Sequence, residues 1–145
     1  MKVAEVIYHK LVQKHCRYVF GYSGGACLPL LDAFYNSHHI QFIKNSNESC
    51  SGFVAEGYSK SLFGKQPGVI LTTSGPGVTN IITPLQDAYS DGVPLIAISA
   101  QVPMNALHTN AFQECRATDL TKYCTKWNTM IETTTDIDDI IEEAY

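Results

Sequence analysis

Short runs of consecutive apolar residues alternate with segments of helical period along this chain. This alternation constrains the fold more than any other feature. Val69-Ile70-Leu71 and the run PLIAIS (94–99) carry no polar alternation, so each strand needs cover on both faces. A parallel sheet with helices on each side meets that need. Val3, Val6, Ile7 and Leu11 predict an amphipathic helix over 3–14. Strands are expected at 17–20 and 40–43, and a buried helix from Leu28 to about Asn36. A helix over 47–63 is expected to take Ser46-Asn47 as its cap and to bury Phe53, Val54, Tyr58 and Leu62. Further helices are expected at 78–89, 117–124 and 136–145, and Met130-Ile131 is expected in a fifth strand. The fold class is α/β: a doubly wound, mainly parallel sheet of about five strands flanked by helices. The turns after Phe20, Ile43 and Leu71 should lie at one edge.

With 145 residues the chain suits one domain, 1–145. Ten basic against fourteen acidic residues leave a net charge of −4, and no basic tract offers itself to a phosphate backbone, so nucleic acid is not expected. No apolar run is long enough to span a membrane. Five cysteines, Cys16, Cys27, Cys50, Cys115 and Cys124, form neither a CxxC pair nor a Cys/His set at zinc-ligand spacing. Buried free thiols in a reducing cytoplasm are the expectation. The sequence stops inside a helical pattern, IDDIIEEAY, without a capping residue, which reads as a domain cut at its C-terminal end.

Three glycine-rich or polar turns follow strands: Gly21–Gly25, Asn45–Gly52 and Gly75-Pro76-Gly77. Glycine there admits close backbone approach to a ligand, or merely permits a tight turn. None matches a dinucleotide or P-loop fingerprint. Glu48 stands where the second strand hands over to a helix, beside the small residues Ser49, Cys50, Ser51 and Gly52. It reads either as a functional carboxylate with room for a flat ligand or as a helix-end charge. His38 and His39 fall in a turn, and His108 in a loop.

The segments VFGYSGGA (19–26), NESCSGFVAEGYSK (47–60), TTSGPGVTN (72–80), PLIAISAQVP (94–103), TNAFQE (109–114) and TKWN (125–128) stand in the order of one family. The chain resembles the N-terminal pyrimidine-binding domain of thiamine diphosphate-dependent enzymes, most of all the acetolactate synthase branch. AEGY followed at a fixed interval by TSGPG is the specific part. The resemblance implies that Glu48 is the catalytic carboxylate, moving a proton at the aminopyrimidine of thiamine diphosphate. It implies that Tyr22, Ser23, Gly24 and Gly25 line the cofactor, and that Thr73, Pro76, Gly77 and Asn80 cradle its pyrimidine. Phe112 and Gln113 would face the substrate, although core packing is the other reading of Phe112. The family usually has proline at Ser23, histidine at Asn47, Gln-Gly-Gly at Ser49–Ser51, aspartate at Asn110 and histidine at Trp127.

The same resemblance implies a decarboxylase or carboligase acting on pyruvate or a similar 2-keto acid. Its site would be shared between subunits of a homodimer or higher oligomer. Magnesium ligands belong to a diphosphate-binding domain with a GDG motif, absent here, where the lone DG is Asp91-Gly92. FAD is used by some relatives. Two other functions stay open: a non-catalytic relative serving as partner or regulatory domain, and a flavodoxin-type nucleotide-binding module using the SGPG turn.

Overall fold

The computed structural model describes residues 2–36, 38–133 and 135–145. Helix α1 (Val3–Gln13) leads into β1 (Tyr18–Gly21), and a 3-10 turn (Gly25–Cys27) runs into α2 (Leu28–Tyr35). Then come β2 (Gln41–Lys44), α3 (Glu48–Ser61), β3 (Gly68–Thr72), α4 (Pro76–Asn80), α5 (Ile82–Asp91) and β4 (Leu95–Ser99). A second 3-10 turn (Met104–Ala106), α6 (Ala117–Thr121) and α7 (Ile137–Ala144) complete the order.

The strands pair in the order β2-β1-β3-β4, all parallel. Val19 of β1 faces Phe42 on one side and Val69 on the other. The chain leaves β1 toward β2 and then returns past β1 to β3. The order therefore reverses between β1 and β3, and the carboxyl ends of those strands flank a crevice. As expected, the turns after β1, β2 and β3 share one edge.

Val69, Ile70 and Leu71 point alternately to two cores, which is why the run contains no polar position. Val69 and Leu71 pack with Leu11 of α1, Leu30 and Phe34 of α2 and Ile137 and Ile141 of α7. Ile70 packs on the other face with Phe20, Ala55 of α3, Ile81 at the start of α5 and Leu85 within α5. Every residue of β3 is buried.

Three expectations need correction. Phe53 and Val54 are 45% and 42% exposed, and α3 instead buries Ser51, Gly52, Ala55, Glu56 and Ser59. The cause is close packing: a Cβ on Gly52 would stand 2.3 Å from Pro84 Cγ, so small residues face inward. The helix expected over 78–89 is two helices. Pro84 has no N–H for the Asn80 carbonyl and its ring crowds that oxygen, so the helix breaks at Ile81. Finally, four strands are present among the described residues, and Ile131 packs against the α1/α2/α7 core rather than joining the sheet. No helix among the described residues is long and apolar enough to cross a membrane.

Candidate functional site

All of the candidate residues follow the carboxyl ends of strands. Tyr22–Gly25 follow β1, Asn45–Glu48 follow β2, Thr73–Gly77 follow β3, and the segment bearing Phe112 and Gln113 follows β4. The β1 turn lies directly on the β3 turn. A Cβ on Gly24 would stand 2.4 Å from Thr73 Cβ, so a side chain there would force the two turns apart. A Cβ on Gly25 would meet nothing within 4 Å, which leaves open space beside the turn. Lys44, at the end of β2, holds its ammonium 5.5 Å from the centre of the Tyr22 ring.

Glu48 is the first residue of α3 and is 6% exposed. Asn47 caps the helix, its Oδ1 accepting from the Cys50 N–H at 2.8 Å. Asn80 Nδ2 donates to Glu48 Oε2 at 3.0 Å. The Ser49 hydroxyl donates to the Asn80 backbone carbonyl, which Pro84 leaves free. The start of α3 and the end of α4 are thus joined twice, once through a side chain and once through the backbone. Cys27 lies under the β1 turn, its thiol donating to the Gly24 carbonyl at 3.2 Å. Burial pushes this thiol up, with the Glu48 charge adding in the same direction.

Two buried side-chain oxygens at this edge have no hydrogen-bond partner, Thr73 Oγ1 and Asn45 Oδ1. Buried polar atoms are nearly always paired, so two orphans at one edge mark a place where a polar ligand would find partners. Gly75 adopts φ 57, in the left-handed region, and a Cβ there would stand 2.7 Å from the Gln113 carbonyl oxygen. The loop after β4 therefore rests on the SGPG turn. Phe112 is 88% exposed, which excludes core packing, and Gln113 is half-buried. His38, His39 and His108 are exposed. Cys16, Cys27 and Cys124 are buried as expected, but Cys50 is exposed and Cys115 half-buried.

A cluster of carboxylates able to hold a metal, Glu56, Asp87 and Asp91, lies elsewhere. It sits about two turns along α3 from Glu48 and beside the end of α5. An ammonium already occupies it. Lys60 Nζ is 2.9 Å from Asp91 Oδ2 and 2.6 Å from Glu56 Oε1, the latter an ion pair without hydrogen-bond angles. No other such group is found among the described residues. Two features carry no signal in the sequence motifs: the Ser49 bond to Asn80, and Glu114, whose carboxylate accepts backbone N–H groups of the loop.

Residues 1–121 match the model of the thiamine pyrophosphate enzyme N-terminal TPP-binding domain. The mitochondrial acetolactate synthase of Schizosaccharomyces pombe is 45% identical over 145 residues, covering 99% of this chain and 21% of that protein. The mitochondrial catalytic subunit of acetolactate synthase from Saccharomyces cerevisiae is 44% identical over 127 residues, 88% of this chain and 18% of its own length. The acetolactate synthase large subunit of Lactococcus lactis is 41% identical over 142 residues, 98% of this chain and 24% of its own. The chain thus spans about a fifth of the length of the curated relatives it matches. With its parallel sheet and its turns gathered at one edge, the chain belongs to the thiamine pyrophosphate enzyme family, as an N-terminal TPP-binding domain.

Proposed function

We propose that this domain forms the pyrimidine-holding half of the active site of an acetolactate synthase-like decarboxylase or carboligase, acting on pyruvate or a similar 2-keto acid. The observation that carries the reading is Glu48. It is a buried carboxylate at the switch of the sheet, with Oε2 held by Asn80 and with no hydrogen bond to Oε1 from the described residues.

The site fits an aminopyrimidine. Glu48 Oε1 and Thr73 Oγ1 are acceptors at this edge without a partner among the described residues, and the backbone at Gly25 faces open space. Bound thiamine diphosphate supplies a carbon nucleophile and an electron sink. The chain's part is to hold and move a proton. Glu48 Oε1 would be the oxygen that exchanges a proton with a pyrimidine ring nitrogen, while the Asn80 amide fixes the other oxygen and so the plane of the carboxylate. Tyr22 and the Ser23-Gly24-Gly25 turn line the thiazolium side, and Thr73, Pro76, Gly77 and Asn80 cradle the pyrimidine. Phe112 and Gln113 face the keto acid.

Magnesium for the diphosphate comes from outside this chain, because the Glu56/Asp87/Asp91 cluster is occupied by Lys60 and lies away from Glu48. A homodimer or higher oligomer sharing the site belongs to this proposal, and the neighbouring apolar residues Phe53 and Val54, partly exposed on α3, are available to such a contact. The five unpaired thiols suit a reducing compartment such as the cytoplasm.

Formation of acetolactate from pyruvate by the complete protein, with thiamine diphosphate and magnesium, tests the reading. Activity that disappears in Glu48→Gln supports it. No turnover of any 2-keto acid would favour the non-catalytic partner reading, which the Ser49-Cys50-Ser51 departure beside Glu48 motivates.

A further inference from the structure

Between β4 and α6 the chain places three non-glycine residues in the left-handed region: His108 (φ 65), Asn110 (φ 58) and Gln113 (φ 60). Such residues rarely hold this conformation, and three within six positions need something that imposes it. Turns of this kind point successive N–H groups into one concavity, which attracts an anion. The anion here is the Glu114 carboxylate. It accepts from the His108 N–H through Oε1 and from the Ala111 N–H through Oε2 at 3.1 Å.

The rest of the segment is latched around that centre. The Thr109 hydroxyl donates to the Ala106 carbonyl at 2.7 Å. Across the stem, Gln101 Nε2 donates to the Cys115 carbonyl at 2.7 Å while its Oε1 accepts from the Val102 N–H at 2.9 Å. At the tip, the Gln113 carbonyl lies over Gly75, the residue that opens the pyrimidine-side turn. Phe112 is 88% exposed, so packing within the domain does not orient it. Its position depends on the backbone that carries it.

We infer that Glu114 is a positioning residue of the site: its carboxylate holds the 108–113 turn in the shape that sets Phe112 and Gln113 beside Gly75. The inference rests on the reading above that these two residues face the keto acid. A carboxylate suits this task better than an amide of the same size. Each of its oxygens accepts, whereas glutamine presents one acceptor and one donor, and the donor would oppose a backbone N–H. Charge also strengthens each bond to the turn.

Two measurements test it. In the 145-residue chain, backbone amide exchange is compared for wild type, Glu114→Gln and Glu114→Ala. Protection at His108 and Ala111 should fall tenfold or more in the alanine variant and by less in the glutamine variant, with Val69–Leu71 unchanged. If the alanine variant does not fold, the glutamine variant is read by the same criterion of loss confined to the turn. Unchanged protection at His108 and Ala111 would overturn the inference. In the complete protein with thiamine diphosphate and magnesium, Glu114→Gln should raise the KM for the keto acid about tenfold and leave exchange of the cofactor C2 proton at the wild-type rate. A fall in C2-proton exchange as large as the rise in KM would mean a general structural role and would also overturn it. A wild-type protein that turns nothing over would defeat the proposed function but leave the amide-exchange result to decide the role of Glu114.

Discussion

Asn80 and Glu48 are 32 residues apart in sequence, and the Asn80 side-chain amide donates to the Glu48 carboxylate at 3.0 Å. The contact joins the start of α3 to the end of α4 across the carboxyl edge of the sheet. It depends on a break in the helix after β3, and that break depends on Pro84. A continuous helix would have used the Asn80 carbonyl internally. Instead the carbonyl is open to Ser49, so a residue next to Glu48 secures the backbone of the residue that holds Glu48.

Ser49→Ala tests this joint. It removes the donor to the Asn80 carbonyl, and the expected destabilisation is about 1 kcal/mol, at the lower end for a lost bond because the site is partly open to water. A urea titration of the 145-residue chain reads it as a lower midpoint with unchanged slope. An unchanged midpoint would show that water replaces the serine.

The orientation of α3 makes a second prediction. Ile70→Ala, which empties a fully buried position, should cost about 2–5 kcal/mol. Phe53→Ser and Val54→Ser, each already more than two-fifths exposed, should cost about 1–2 kcal/mol at most and clearly less than Ile70→Ala. Comparable losses at Phe53 and Ile70 would mean that α3 turns its other face to the sheet.

Thiol labelling distinguishes the five cysteines. Cys50 is exposed and should react first with iodoacetamide, followed by Cys115. Cys16 is buried, and burial pushes its thiol up to about 11, so little reactive thiolate exists at neutral pH. Cys27 and Cys124 are also buried and are raised by the same cause. Peptide mass spectrometry should find these three unlabelled until denaturant is added. Early labelling of Cys27 would show that the β1 turn opens.

Thiamine diphosphate should bind the 145-residue chain with a millimolar Kd. Its charge lies on the diphosphate, and the described residues place no metal-capable carboxylate cluster beside Glu48. Pyrimidine contacts alone yield a few kcal/mol, much of it offset by lost rotational and translational freedom. Calorimetry with magnesium present measures it. Micromolar binding would place the diphosphate site within this chain.

The parallel sheet and its shared edge were legible in the sequence because consecutive apolar residues in β3 must serve two cores. The position of Glu48, where β2 hands over to α3, was legible through the Ser46-Asn47 cap; the role proposed for it comes from the family resemblance. The inward face of α3 was not, because Ser51, Gly52, Ala55 and Ser59 pack by smallness, and hydrophobic periodicity does not register smallness. The break at Ile81 was not read from Pro84, although proline leaves its mark four residues earlier, at Asn80. Ser49 and Glu114 act on backbone groups, so their partners depend on how turns meet in space. The fifth strand expected at Met130-Ile131 failed because apolar residues fit equally well against the α1/α7 core.

The central claim is that Glu48 moves a proton at the cofactor, and hydrogen–deuterium exchange at C2 of thiamine diphosphate bound to the complete protein tests it most directly. Glutamine at position 48 keeps the shape and the contact with Asn80 but cannot cycle a proton, so Glu48→Gln should slow exchange by about 100-fold or more. Exchange at the wild-type rate in that variant would contradict the account and leave Glu48 as a charge at the end of a helix.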